Sequence, residues 1–440
     1  MPGLNFDHIP PLHIPFRFFN TAPWMAVIGA LVLLQGLSDA SFSSQWSAEL
    51  LALTHLFTLG FMAMIMLGAL FQVLPVISGE TIPAMLWVAT VVHLALAIGT
   101  LLLAAAFVSG QVALFAYAVP VLLLAFVSFL LALGPRLVKK ISGGDSINAI
   151  RFAALSLLLT VTLGALRALG YRYPEFHVEF ANATTLHIAW GLAGWLSLLV
   201  MGVSFQVIPM FHVTPNFSNK LTKWLPLTVF VSLLLLSAQA GEYLQHFALA
   251  ILCSALGFYA GYAIWLLGKR RRKLPDTTVN FWRLALGSLL LTVLLVVVRY
   301  SDQASGHLLL ASSYASLNVV IGIVIIFGFA CSVIIGMLHK IIPFLIYMHL
   351  QRQCGGNYTE IKSLPNMLDI IPVQRGKTQF YLHFGTLALL LSATVLSVMG
   401  AVAAVLIAFE FVYLGFTVNG ATRLYWKTRH RISSSVQTLQ

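Results

Sequence analysis

Charge is what this chain has least of: Asp, Glu, Lys and Arg make up 9% of its 440 residues, and only 13 are acidic. A soluble protein of that length needs far more polar side chains to cover its surface. Lipid must therefore be the solvent for most of the chain, and soluble enzyme classes are excluded. Cysteine is nearly absent as well. Cys253, Cys331 and Cys354 show no CxxC spacing and sit in or beside apolar runs, which excludes a disulfide framework and a thiolate metal centre. No phosphate-binding loop, catalytic triad or zinc-helix motif occurs. The opening segment MPGLNFDHIPPLHIPF is Pro-rich and lacks a short apolar core followed by small residues, so the first span is expected to be retained. Acidic residues within apolar runs are scarce, Glu410 being the clear case, which argues against a carboxylate-driven proton pump.

What is abundant is hydrocarbon: 59% of residues are hydrophobic and the mean hydropathy is +0.92. Apolar runs fall at roughly 22–42, 48–78, 84–108, 111–134, 148–170, 183–211, 222–240, 245–268, 277–299, 312–348, 376–399 and 401–426. At about 20 residues per crossing these are twelve spans. Lipid leaves the backbone no partner but itself, so the expected fold class is an all-α polytopic membrane protein of twelve transmembrane helices.

Basic residues choose the orientation. Arg136, Lys139 and Lys140 follow span 4, Lys220 and Lys223 follow span 6, and Lys269, Arg270, Arg271, Arg272 and Lys273 follow span 8. Arg352, Lys362, Arg375 and Lys377 follow span 10, and Arg423, Lys427, Arg429 and Arg431 close the chain. By the positive-inside rule both termini and the 351–377 loop are cytoplasmic, in a bacterial inner membrane. The net charge of +12 is then a topology signal aimed at membrane lipids, not at nucleic acid.

An internal repeat organises the single membrane domain, residues 1–440. Span 2 reads GFMAMIMLGALFQVLP, span 6 GWLSLLVMGVSFQVIP and span 10 GFACSVIIGMLHKIIP. Gly60, Gly194 and Gly328 are 134 residues apart each time, as are Gly68, Gly202 and Gly336, and Pro75, Pro209 and Pro343. Gln72 and Gln206 match, with Lys340 in the third copy. Small residues ease helix packing in membranes, but packing alone does not impose a common period. The chain divides into three four-helix units, roughly 15–140, 148–274 and 280–427, expected around a pseudo-threefold axis.

The segments THLFTLGFMAMIMLGALFQVLP and LHIAWGLAGWLSLLVMGVSFQVIPMF resemble the second and sixth spans of the heme–copper oxidase superfamily, whose catalytic subunit has the same three-unit plan. NnrS-type nitric-oxide-response membrane proteins share the broad character. The resemblance implies a low-spin heme ligand at His55 and, at His187, the helix and depth of a copper ligand. The His-His pair of span 7 and the His-x-His of span 10 are absent, and His339 and His349 lie toward the cytoplasmic end. An oxygen-reducing heme–copper centre is therefore not expected.

Histidine inside a span is costly and is a functional candidate. His55 and His187 lie five and seven residues before Gly60 and Gly194, so their depths nearly match. At about 100° per residue they sit near −140° and +20° from those glycines. Opposite faces on symmetry-related helices either converge on one groove or diverge into two. Divergence needs a partner on span 10, which offers only Tyr314 and Asn318, with His307 far above. Convergence makes His55 and His187 the axial ligands of one heme b; a bare metal ion or a purely structural role are the other readings. Copper has no further ligand set to support it. Arg167 and Arg299, near the outer ends of spans 5 and 9, suit heme propionates or snorkel to headgroups. His212, His339, Gln72, Gln206 and Lys340, with His93 and His383, suggest a wet inner vestibule, with His339 and His212 as weaker metal candidates. Asp7, His8 and His13 form at most a loose metal clip. Met62, Met64 and Met66, spaced by two, scatter around their helix, so a thioether path for copper is weak.

The expected function is electron transfer, binding of a small diatomic ligand such as nitric oxide or oxygen, or assistance to respiratory-enzyme assembly, with a redox protein as partner. A transporter lined by glycine-rich repeat helices is the second class, and a structural subunit without cofactor the third.

Overall fold

The computed structural model describes residues 10–36, 42, 44–78, 82–138, 145–173, 175, 182–271, 274–305, 313–355 and 357–437, and among them no strand occurs. Asp7, His8, Lys139, Lys140, Arg272, Lys273 and His307 lie outside the described residues, as does the side chain of Arg136.

Among the described residues, eleven helices are long and apolar enough to cross a membrane. In chain order they are α1 (His13–Gln35), α2 (Ala48–Pro75), α3 (Met85–Ser109), α4 (Ala113–Pro135), α5 (Ser146–Gly170), α6 (Ala183–His212), α7 (Asn219–Ser237), α8 (Glu242–Gly268), α9 (Thr277–Gln303), α10 (Tyr314–Gln353) and, after two short helices and one further long helix, α12 (Val398–Ile432). That further helix, α11 (Val373–Ala393), has 21 residues but spends its apolar length on Arg375, Lys377, Gln379 and His383. Direction shows that it crosses too. Along α1, Asn20 meets Thr422 and Trp24 meets Phe416, so α1 and α12 run antiparallel. An antiparallel first and last span require an even number of crossings, hence twelve. α1 begins nine residues before the apolar run because Phe16, Phe18 and Phe19 bury themselves around the polar Arg17.

α2, α6 and α10 form the centre. Buried residues fill 67, 72 and 72% of their most apolar windows, against at most 50% elsewhere. They touch pairwise: His55 faces His187, Phe57 meets Phe327, and Phe211 meets Phe344. The other helices ring them, and α12 packs back along α1 to close the ring. Outward rows such as Leu124, Val127 and Leu131, or Leu290, Leu294 and Val297, are exposed apolar stripes at helical spacing, as lipid contact demands.

The repeat glycines explain the packing within each unit. A Cβ on Gly60, Gly194 or Gly328 would stand 2.7, 2.8 or 2.7 Å from Met25, Ser156 or Ser288. A Cβ on Gly68, Gly202 or Gly336 would stand 2.6, 2.8 or 2.6 Å from Phe18, Ala149 or Phe281. Each central helix therefore presses two glycine notches against the preceding helix, at partners two turns apart. Around the first notch each central helix also widens into a π-helical stretch, at Leu56–Ala63, Trp190–Leu196 and Val324–Cys331. These stretches begin 134 residues apart.

Candidate functional site

His55 stands immediately before the first π-helical stretch and His187 three residues before the second. Each ring uses Nδ1 on a backbone carbonyl: His55 donates to Leu51 O at 2.7 Å, and His187 donates across to Thr160 O of α5 at 2.9 Å. A carbonyl only accepts, so Nδ1 carries the proton in both rings and Nε2 keeps its lone pair. This is the arrangement that fixes ring orientation and tautomer in metal-ligating histidines. The ring centres are 6.4 Å apart and the planes differ by 16°. Convergence, one of the two geometries open from phase alone, is what the fold adopts. The phases themselves do not hold as uniform α-helix, because the π-helical stretches intervene between each histidine and its glycine.

Around the pair, Phe107 of α3 lies against His55 with ring centres 5.2 Å apart, and Phe115 and Tyr171 stack on each other beside Phe107 at 4.7 Å. Gly164 makes room for His187: a Cβ there would meet its Cε1 at 2.8 Å. Thr160, Gly164 and Arg167 share one face of α5 by their spacing of four and three. Arg167 thus sits one turn beyond the His187 contact, toward the C-terminal end of α5.

The donor set fits an axial pair. With metal–nitrogen bonds of about 2 Å, two imidazoles on one iron place their ring centres roughly 6 Å apart. Cavities of about 210 and 110 Å³ occur, and neither is lined by His55 or His187. The smaller lies between α2 and α10, where Thr54, Phe57, Asn318 and Phe327 line it. Asn318 thus faces α2, while Tyr314 donates to Asp302 at 2.6 Å.

Arg299 is not brought to the pair. Its guanidinium lies 5.2 Å above Tyr300 and 5.6 Å above Tyr314, in the third unit. The inner set divides. His212 is buried, its Nδ1 3.7 Å from Asp276 Oδ2, and Lys340 Nζ pairs with the same oxygen at 2.8 Å. Asp276 also caps α9 by accepting from Thr278 N at 3.0 Å. Burial pushes the Asp276 carboxyl upward, but His212, Lys340 and Thr278 outweigh it and hold it well below the usual carboxylate range. His339 donates from Nδ1 to Ile335 O at 2.9 Å and leaves a buried Nε2 without a partner. Among the described residues no three His, Cys, Asp or Glu side chains come together. His93 meets Thr21 Oγ1 at 2.9 Å.

His383, grouped by sequence with the inner set, belongs elsewhere. It is fully buried halfway along α11, where it meets Glu410 of α12 and Ser332 of α10. Sequence reasoning missed this cluster. The available signal was the polar row Gln379, His383 and Thr386, spaced by four and three, every member of it buried.

Compared with known proteins, the chain matches no family model and no curated sequence.

Proposed function

We propose that this chain is a heme-binding membrane protein built on the plan of the heme–copper oxidase core, with His55 and His187 as the axial ligands of one heme b. The observation that carries the reading is the pair itself: parallel imidazoles 6.4 Å apart, each with Nδ1 satisfied and Nε2 free. Held there, such a heme would supply a one-electron couple and the chemistry to bind nitric oxide or oxygen. The protein's own part is orientation and exclusion. The Leu51 and Thr160 carbonyls hold the rings, Phe107, Phe115 and Tyr171 keep water out, and Arg167 offers a cation at propionate depth. A redox protein and a diatomic ligand are the partners this implies.

A bare metal ion between the same two rings is the second reading, favoured by Phe107 packed against His55. A transport path along the glycines has less support, because all six repeat glycines are occupied by helix contacts.

The test is spectroscopic. Purified protein should show a Soret band and the reduced bands of a low-spin b-type heme; His55→Ala and His187→Ala should each abolish them, and His93→Ala should not. Full heme content in both single mutants sinks the His55–His187 site, and stoichiometric metal without a Soret band selects the ion. We also propose a bacterial inner-membrane location with both termini cytoplasmic, on the strength of the alternating basic loops. A reporter fused at Gln440 and active only in the periplasm would overturn it.

A further inference from the structure

In the third unit, three helices bring four polar side chains together deep in the membrane. Glu410 lies twelve residues into α12, and His383 ten residues into the 21-residue α11. At about 1.5 Å per residue, each is some 15–18 Å from a helix end, close to the bilayer midplane. Glu410, His383, Gln379 and Ser332 are all fully buried. His383 Nδ1 donates to Glu410 Oε1 at 2.7 Å, Ser332 Oγ lies 2.8 Å from His383 Nε2, and Gln379 Nε2 donates to Glu410 Oε1 at 3.4 Å.

Counting donors leaves a deficit. Glu410 Oε2 and Gln379 Oε1 are buried acceptors without partners among the described residues. As an ion pair with a protonated His383, the carboxylate would leave Oε2 bare in a medium of low dielectric, and Gln379 Oε1 as well. Orphaned acceptors of this kind cost of order 1–3 kcal/mol each, and more when charged. One proton on Oε2 resolves both. It turns Oε2 into a donor, and Gln379, whose amide is already joined to the same carboxyl, has the acceptor in need. Acid and amide then pair through two hydrogen bonds, His383 holds Oε1, and Ser332 donates to Nε2. Every polar atom of the cluster is satisfied and the cluster is neutral.

We propose that Glu410, Gln379, His383 and Ser332 form a proton-binding site in the middle of the membrane, which carries one exchangeable proton on Glu410 Oε2. Binding is addition of a proton to a carboxylate; no electron moves and no other bond forms. The groups facing the site from each packed element are Ser332 and the buried Cys331 of α10, Phe281 of α9, Gln379 of α11 and Phe327 above His383. Apart from Cys331, none of these neighbours is titratable. The first unit shows that the site is an addition to the repeat. Phe18 of α1, the counterpart of Phe281 at the glycine notch, faces His93, but that ring meets Thr21 and the Arg17 backbone and, among the described residues, no acid. Phe327 is also a wall of the 110 Å³ cavity between α2 and α10, and its ring lies 4.6 Å from that of His383. That cavity therefore lies one aromatic ring away from the site.

The site does not depend on the heme reading, and its test reads the carboxyl directly. Infrared spectra of the full chain in detergent or vesicles at neutral pH should contain a carboxylic-acid C=O band equivalent to one group per chain. The band should move to lower frequency in D2O, disappear in Glu410→Gln and shift in Gln379→Leu, which removes the amide partner. Glutamate labelled with 13C at the side-chain carboxyl should shift the same band in the unmutated protein, which keeps the test open if Glu410→Gln does not fold. A spectrum with carboxylate signals alone, or an acid band indifferent to both the label and Gln379→Leu, overturns the proposal.

Discussion

A histidine buried in a span has two nitrogens to satisfy, and the one left over decides what the residue can do. In His55 and His187 a carbonyl takes Nδ1 and Nε2 is left as a ligand atom. In His383 both nitrogens are taken by side chains, so the ring relays between Ser332 and Glu410. Spacing to the repeat glycines made the first pair legible in sequence, because depth along a helix is counted in residues. The second cluster was not legible, because its members sit 27 and 51 residues from His383 and meet only through the packing of α10, α11 and α12. Asp276 was missed for a similar reason: a lone Asp before a span reads as a cap, and its pairing with Lys340 joins two helices. That pairing has a pH signature. A carboxyl whose folded value is depressed stabilises the fold above its unfolded value of about 4, and the contribution vanishes as pH falls toward the folded value. Asp276→Asn keeps the cap and removes the charge, so its melting temperature in detergent should fall below wild type at pH 7, and the gap should narrow steadily on acidification below pH 4. A gap that stays constant across that range would mean that the ion pair contributes nothing.

At the scale of the helix, glycine spacing was readable but helix type was not. Nothing in LFTLGFMA, WGLAGWL or VIIFGFAC marks a π-helical stretch by composition, since Gly, Phe and Leu serve α-helices in membranes equally well. What places it is tertiary. Each stretch surrounds the first glycine notch of its helix, where the chain presses on the preceding helix. The notches carry a measurable cost. In Gly68→Ala and Gly336→Ala the new methyl meets the Cβ of Phe18 or Phe281 at 2.6 Å, an atom fixed to the backbone that cannot swing aside. Each should destabilise the protein by about 1–3 kcal/mol. Gly261→Ala and Gly287→Ala, with nothing within 4 Å of the new methyl, should be neutral or stabilising by up to about 1 kcal/mol. Thermal melts of the four variants in one detergent make the comparison. Equal losses in both sets would mean that the period reflects something other than close approach.

On the scale of the whole molecule, a repeat of three open units becomes stable by closing on itself, and the closure is where α12 returns to α1. Apolar run lengths could not show this, since any number of spans satisfies lipid; the contacts do. Asn20 Nδ2 donates to Thr422 Oγ1 at 3.2 Å, Trp24 meets Phe416 edge-on at 6.0 Å, and a Cβ on Gly415 would stand 3.1 Å from the Trp24 ring. These contacts fix the antiparallel sense of the two end helices, and with it the crossing of the polar α11. An Asn20→Cys, Thr422→Cys double variant should therefore form a disulfide within one chain under mild oxidation. With a protease site placed in the 213–218 loop between α6 and α7, the two halves cut from this variant should stay joined on a denaturing gel and separate on reduction. Halves that part without reductant, or a bond that appears only between two chains, would show an open array of helices, and the parity argument for twelve crossings would fall with the ring.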